Sequence, residues 1–484
     1  MKKKSLSINT SLNVIRRFVS MFFPLIIFPY ITRILNVENV GKVNFAANFI
    51  NYFVLLASLG IPIYASREGA KKRNDKKIAS KFISEVFSIN VLSSFISIAL
   101  LIIIVYFVPY IRLYWKLIAI ESLLIVSTTI GMDWFFVIYE DFLYVTIRTV
   151  VAQVISLVLI FTFIKQEKDY YTYAFITVLS QMFVSIYNFI RAKKSIRFKI
   201  FIKPCLTNHI KPIITIFALN VSSQIYINAD TTMIGLMIGD YAVGLYSVAN
   251  KVYRILKTLI ASIFDAALPN LSNTIAIKGL DDYKKKVNRV IDLIIVILMP
   301  IMIGTLCTAK DIIIVLSGPL YIEAVTSLRI LSISLLGAML SGFYMYAVLL
   351  PMGKEKTTMQ AMTVSAILNI ILNFYFIPYY WISGAAMTTL ISEFLVYFWQ
   401  RIALKNENPI KFNINNITTT IVGCLIIYIV CFLISYVRTS PIFILVMKAG
   451  ISAILYFLTL VLLNNKLLLE YKNILMQKIK RGEK

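Results

Sequence analysis

Two apolar stretches between Ser222 and Asn270, joined by a polar turn at Gly239-Asp240, carry Asp230, Lys251, Arg254, Lys257 and Asp265. Each stretch is long enough to span a bilayer. A charge at the centre of an inserting helix costs about 2.5–3.5 kcal/mol, so those retained must face protein or water rather than lipid. At about 100° per residue, Ser247, Asn250, Lys251, Arg254, Lys257 and Asp265 share one arc of the second stretch. Leu245, Val248, Val252, Ile255, Leu256, Leu259 and Ile263 fill the opposite side. The chemistry open to such a basic stripe is recognition of an anion inside a water-filled cavity. A structural reading stands beside it: Lys257 and Arg254 snorkel to the membrane interface, and Asp230 and Lys251, at similar depth, form an ion pair. Arg254 sits near mid-helix with no carboxylate at matching depth in this hairpin, which favours the cavity reading for that residue.

Other titratable groups offer less. Glu85, Glu121, Asp133, Asp230, Asp265, Asp292 and Glu393 are scattered through apolar runs, where a carboxylate can take up a proton or cation. Glu85, Asp292 and Glu393 fall toward expected span ends, where solvation or capping suffices. Asp133 and Asp230, with Asp265, remain candidates for ion coupling or structural pairing. His209 lies in a basic loop without a partner at metal-ligand spacing, and Cys205, Cys307, Cys424 and Cys431 form no CxxC pair. The cysteines read as small buried hydrophobes, and neither a metal site nor a cofactor is expected. No P-loop, G-x-S-x-G or H-E-x-x-H motif is present, and the outer loops are short. The chain reads as a non-enzyme that is not driven directly by ATP.

The elements that must carry these residues are membrane helices. Of 484 residues, 59% are hydrophobic and only 15% charged, and apolar runs of about 20 residues recur along the whole length. The expectation is an all-α polytopic membrane protein of about fourteen spans. The first, near Val14–Ile34, is read as a span rather than a removable signal peptide. The net charge of +26 concentrates in alternate loops, as the positive-inside rule requires of cytoplasmic segments. That pattern argues against nucleic acid as a partner and places both termini in the cytoplasm. The longest basic connection, Arg191–Lys211, divides the chain into a six-helix lobe at 1–200 and a second at 201–411. Two further helices and a basic tail occupy 412–484. Pro269 is expected to stop the second helix of the charged hairpin, and the Lys-rich segment after it, up to Arg289, is expected to be amphipathic and interfacial. Two lobes, with the charged hairpin opening the second, suggest a transporter with its site near the bilayer midplane between them.

Three stretches resemble the Wzx-type flippases that move lipid-linked oligosaccharide repeat units in O-antigen and capsule assembly, members of the multidrug/oligosaccharidyl-lipid/polysaccharide (MATE-like) transporter superfamily. They are FPLIIFPYITRILNVENVGKVNFAANFINYFVLLASLGIPIYASREGAKKRND from Phe23, NADTTMIGLMIGDYAVGLYSVANKVYRI from Asn228, and GKEKTTMQAMTVSAILNIILNFYFIPYYWISGAAMTTLISE from Gly353 to Glu393. FPYITR, SREGAKKR and GDYAVGLYSVANKVYRI are the specific parts. The resemblance implies two six-helix lobes around a central cavity, with the last two helices peripheral. It places Arg33 with Asp230, Lys251 and Arg254 around the portal. The family often has a basic residue after the proline that ends the eighth span; Asn270 stands there in this chain, with Lys257 as the candidate substitute. The implied cargo is undecaprenyl-diphosphate-linked oligosaccharide, crossing a bacterial cytoplasmic membrane by alternating access. Membrane lipids and the polysaccharide polymerase and chain-length machinery are the candidate partners. A MATE-type multidrug/cation antiporter and a lipid II flippase are the competing readings; the antiporter should carry a carboxylate-lined cavity, whereas the clearest stripe here is basic. Pro24 and Pro29 mark a bend in the first span. Alanine at both positions is expected to slow the transport cycle, read as a reduced rate of cargo flux; unchanged flux removes the hinge assignment.

Overall fold

Continuous apolar runs punctuated by glycine, proline and short polar caps favour helices, and among the described residues the computed structural model contains helices and helical turns but no strand. It describes residues 23–201, 209–277, 279–404, 410 and 412–470. Expectations for the start of the first span, for Lys203 and Cys205 in the basic connection, and for the tail beyond 470 lie outside these residues, as does the side chain of Asp265. The chain divides into two compact units, one ending at Gly244 and the other beginning at Leu245.

In the first unit the helices are α1 (Phe23–Ile34), α2 (Asn36–Ser58), α3 (Ile61–Lys72), α4 (Lys76–Phe107), α5 (Pro109–Arg112), α6 (Trp115–Gly131), α7 (Asp133–Ile138), α8 (Phe142–Phe163), α9 (Tyr170–Ser195) and α10 (Ile210–Met237). The first turn of α11 (Asp240–Ile277) also belongs to it. α10 consists of two straight pieces, Ile210–Ser222 and Gln224–Met237, bent by 43°. Local chemistry sets the boundaries. Asp75 caps α4 by accepting the amides of Lys77 and Ile78 at 2.8 and 3.0 Å, and Pro109 cannot continue the α4 hydrogen-bond ladder.

Lipid tails are as apolar as leucine, so helix association depends on close packing and interhelical hydrogen bonds rather than on the hydrophobic effect. α4 is fastened to α2 in this way: Asn90 Nδ2 donates to the Ala57 carbonyl at 2.9 Å and Ser97 to the Phe53 carbonyl at 2.7 Å. Ser127 of α6 meets Ser185 of α9 at 2.7 Å. Large apolar side chains such as Phe95, Ile102, Val158 and Phe183 point outward, as lipid-facing positions do.

The second unit continues α11 and adds α12 (Leu280–Ser317), α13 (Ala324–Phe343), a π-helical turn at Tyr344–Leu349, α14 (Glu355–Leu404), α15 (Ile414–Ile434) and α16 (Pro441–Leu462). α14 is two helices joined at Trp381, whose φ of 56° and ψ of −140° break the helical path. α13 packs on α14, while α15 and α16 pack on α12. The last two helices are pinned to α12 by polar bonds, α15 through Asn416 Nδ2, which donates to Asp292 Oδ2 at 2.9 Å, and α16 through two side chains. Tyr456 donates to the Val296 carbonyl at 2.6 Å, and the buried Lys448 ammonium meets Asp311 at 2.7 Å.

Among the described residues, ten helical runs are long and apolar enough to cross a membrane, with the bent α10 pair as an eleventh. One sequence expectation fails here. α11 does not stop at Pro269 but runs through it to Ile277. A proline deletes one backbone donor and the bond to the carbonyl four residues before it, a local loss that a membrane helix can tolerate without ending. The Lys-rich segment from Leu280 forms the start of the 38-residue α12.

Within the first unit, α2 and the start of α11 cross at backbone contact because both carry glycine there. A Cβ on Gly41 would lie 1.8 Å from the Asp240 carbonyl oxygen, and one on Gly244 would lie 2.0 Å from that of Val37. Neither obstacle is a flexible side chain, so the helices must separate to admit any larger residue. Tyr114 of α6 buttresses the crossing through its hydroxyl, 2.7 Å from Asp240 Oδ1. Gly41→Val is expected to cost at least about 1–3 kcal/mol, read as a lowered Tm of the detergent-solubilised protein. Gly450→Ala on α16, where nothing lies within 4 Å, should leave Tm unchanged.

Candidate functional site

The residues between Leu245 and Phe264 form one long amphipathic helix. Leu245, Tyr246, Val248, Ala249, Val252, Tyr253, Ile260 and Phe264 are buried, whereas the cations recur at Lys251, Arg254 and Lys257, every third residue on the less buried side. Arg254 is exposed and Lys251 half-buried, and the two lie within electrostatic reach of each other. Placing like charges together in a low-dielectric environment is unfavourable and is relieved by an anion.

Lys257 behaves differently. Its ammonium lies 2.5 Å from Glu393 Oε1 on α14, and the Tyr253 hydroxyl donates to the same oxygen at 2.8 Å. Glu393 is only 3% exposed. This corrects the expectation that Glu393 sits at a solvated span end: it lies inside α14, in a buried ion pair. Gly337 on α13 brings the backbone in close, since a Cβ there would lie 3.0 Å from the Phe394 amide nitrogen and 3.1 Å from the Glu393 carbonyl carbon. Lys257 therefore has a buried counter-charge in Glu393, a pairing that the sequence reading did not include. The signal for it was a mid-span charge of opposite sign: Glu393 lies 12 residues past Trp381, and Lys257 lies 17 past Asp240.

The remaining expected residues are dispersed. Arg33, in the first unit, is exposed and donates to the Pro29 carbonyl at 2.8 Å. Asp230 is buried in α10 beside Asn228 and Thr231, and one turn away Thr232 meets the Tyr52 hydroxyl of α2 at 3.1 Å. Asp133 is committed to a network, accepting Arg148 Nη2 at 2.7 Å and Asn188 Nδ2 at 2.9 Å. Tyr144 donates to the same Asn188 at 2.8 Å. Asp133 thus neutralises the buried Arg148, a pairing that its sequence position did not reveal. Asp265 lies on α11 with its side chain outside the described residues.

His209, read from the sequence as a loop residue, lies in the turn immediately before α10. It is buried at the head of α10, with Nδ1 2.7 Å from the Tyr64 hydroxyl and Nε2 3.0 Å from Glu85. Its ring joins α3, α4 and α10. Glu85 is therefore a histidine partner rather than a solvated cap. Glu121 is buried in α6, and no hydrogen bond to its carboxyl is found among the described residues. Those residues also hold no group of three potential metal-ligating side chains.

Comparison with known proteins agrees with this architecture. The family model described as "Polysaccharide biosynthesis protein" matches residues 6–275, and the MatE model matches residues 212–375. Among curated relatives, a protein of Shigella dysenteriae named "Putative O-antigen transporter" is 24% identical over 395 residues, covering 79% of this chain and 96% of the relative. A protein of the same name from Escherichia coli (strain K12) is 24% identical over 382 residues, covering 77% and 90%. Among solved structures, the lipid II flippase MurJ in an inward closed conformation superposes with a TM-score of 0.77 at 16% identity, covering 94% of this chain and 99% of that one. An inward-facing MATE family multidrug resistance transporter of the MOP superfamily gives a TM-score of 0.57 at 14% identity, covering 81% and 98%. The fold is therefore that of the MurJ and MATE transporters. Because the first model runs from the N-terminal apolar run through the basic face of α11 and past Pro269, covering more than half of the sequence, the chain belongs to the polysaccharide biosynthesis protein family.

Proposed function

We propose that this protein is a flippase that carries undecaprenyl-diphosphate-linked oligosaccharide repeat units from the inner to the outer leaflet of a bacterial cytoplasmic membrane, for assembly of a surface polysaccharide. The observation that carries the reading is the face of α11, where Lys251, Arg254 and Lys257 recur every third residue within an apolar helix. Among the described residues no carboxylate pairs with Arg254. Family membership and the names of the two relatives support the same cargo class. The finer architecture belongs to this proposal: fourteen spans, lobes at 1–200 and 201–411, two further helices at 412–484, and both termini in the cytoplasm.

The mechanism follows from the charges. A diphosphate presents oxygens that accept charge-assisted hydrogen bonds, which are short and strong away from water. Arg254 offers the planar fork that fits a phosphate, and Lys251 offers a point charge beside it. The glycan stays in water and the lipid tail in the bilayer while alternating access exposes the site outward. Because the cell interior is negative, moving an anion outward is itself favourable, by about 2.3 kcal/mol per charge per 100 mV. The membrane potential is thus a sufficient drive in sign. The polysaccharide polymerase and chain-length machinery would take the exported unit.

The test is the sidedness of lipid-linked oligosaccharide in cells with and without the protein. Repeat units should accumulate on the inner leaflet when it is absent. Arg254→Gln should reproduce that accumulation while the protein still inserts in the membrane. Loss of one hydrogen bond to a charged group, about 1.5–3 kcal/mol, predicts a fall in transport of roughly tenfold to a hundredfold. Unchanged sidedness with raised sensitivity to cationic drugs would replace this reading with that of a multidrug exporter.

A further inference from the structure

After α9 the chain leaves the helix in extended backbone at Ile196 (φ −144°, ψ 138°) and runs beside α4 as far as Phe201. Three serines of α4 hold it there. Ser80 Oγ donates to the Arg197 carbonyl, Ser84 Oγ accepts the Lys199 amide at 3.0 Å, and Ser88 Oγ accepts the Phe201 amide at 2.8 Å. Four helical residues rise about 6 Å and two residues of extended chain span about 6.6 Å, so every second residue of the segment meets the next serine. Ser84 and Ser88 spend their own protons on the carbonyls of Ser80 and Ser84, at 2.7 and 2.6 Å, which leaves lone pairs for the incoming amides. Phe198 anchors the inner side, edge-on to Phe87 and Phe189 with ring centroids 5.3 and 5.8 Å away. Arg197, Lys199, Ile200 and Phe201 remain exposed.

At about 100° per residue, the side of α4 that carries these serines begins with Lys76, Lys77 and Lys81. It continues into Leu92, Phe95, Ile102 and Tyr106, all exposed. Lys193 and Lys194 lie in the last turn of α9, immediately before the segment. With Arg197 and Lys199 they bring seven cations to one end of the first unit. The carboxylates of this end are committed elsewhere. Asp75 caps α4, Glu85 meets His209 at 3.0 Å, Glu140 meets Arg73 at 2.6 Å and Asp141 meets Arg191 at 2.8 Å. Among the described residues, none of the seven cations is in an ion pair.

We propose that this serine-held segment and the lysines beside it form a docking surface for the anionic headgroups of membrane phospholipids. The phosphates sit on Lys77, Lys81, Arg197 and Lys199, and the acyl chains run along Ile200, Phe201 and the exposed side chains from Leu92 onward. Two observations select a lipid over a soluble acidic partner. The cations occupy the same side of α4 that turns to lipid about three turns further on. Ile200 and Phe201, apolar and exposed, lie at the level of Ser88, one turn short of Leu92, and a soluble partner would leave that apolar end uncovered. Basic residues clustered beside a membrane helix attract anionic headgroups and gain little from zwitterionic ones. The inference concerns resident lipid, not cargo, and is independent of the reading of α11.

The experiment mixes the full-length protein in detergent with equal amounts of dioleoylphosphatidylglycerol and dioleoylphosphatidylcholine. The two share acyl chains and differ in headgroup charge, and native mass spectrometry counts the lipids retained. Wild type should retain phosphatidylglycerol in preference. Each cation removed should lower that preference about fivefold. Lys77→Gln, Lys81→Gln, Arg197→Gln and Lys199→Gln combined should therefore lower it at least about tenfold. A control that removes four cations from the second unit (Lys284→Gln, Lys285→Gln, Lys310→Gln and Lys356→Gln) should keep it. Ser84→Ala with Ser88→Ala, which removes the two acceptors but no charge, should lower it. Equal loss in the two fourfold variants reduces the effect to net charge and overturns the docking surface, as does an unchanged preference in the serine variant. Equal retention of the two lipids by wild type also overturns it and leaves this surface to a soluble acidic partner. Should the fourfold variant fold poorly, Lys199→Gln alone, at an exposed side chain, decides by the fivefold fall or its absence.

Discussion

A charge inside an apolar helix must find a partner, and that requirement explains more of this structure than any other single constraint. Lys257 is neutralised by Glu393, Arg148 by Asp133 and Lys448 by Asp311, each at 2.5–2.7 Å. Each of these pairs joins two helices: α11 to α14, the consecutive α7 and α8, and α12 to α16. A buried ion pair adds little net stability over an apolar pair of the same shape, because both charges must be desolvated. What it does supply is a heavy penalty for any arrangement that separates the partners. The pairs therefore act on which helices meet, and at what height, more than on how tightly they are held.

Between the pairs, contact depends on small residues and on hydroxyl and amide bonds. Gly41 and Gly244 admit a backbone-to-backbone crossing that any larger side chain would block, and Asn90 and Ser97 tie α4 to carbonyls of α2. These are devices of a medium that exerts no hydrophobic force between helices. Lys448–Asp311 and Tyr456–Val296 extend the same logic to α16, which packs on α12 within its own unit. The His209 network does so for the head of α10, where one ring bridges Tyr64 and Glu85.

The functional reading draws on the basic face of α11. Asp133 and Glu393 both attracted attention as isolated carboxylates, and the structure gives each a cation. Lys251 and Arg254 stand side by side with like charge, and the anionic cargo is proposed for their helix face rather than for Arg33 or Asp133.

Much of this was legible in one dimension. The apolar runs, the positive-inside distribution and the basic stripe of α11 are local or periodic properties, and the helical period alone places Lys251, Arg254 and Lys257 on one face. The partners were not. Nothing near Lys257 in sequence announces Glu393, 136 residues away, and nothing near Arg148 singles out Asp133 rather than a nearer acid. Pro269 was misread because a proline removes one backbone donor without forbidding the helix, and α11 runs through it to Ile277. The sequence by itself determined that this is a many-helix membrane protein with a basic helix face, since transfer free energy and the helical period depend on residue type and spacing alone. Only the tertiary structure decided which charges are spent on each other, because pairing depends on distance in space, and folding brings residues together that spacing along the chain cannot relate.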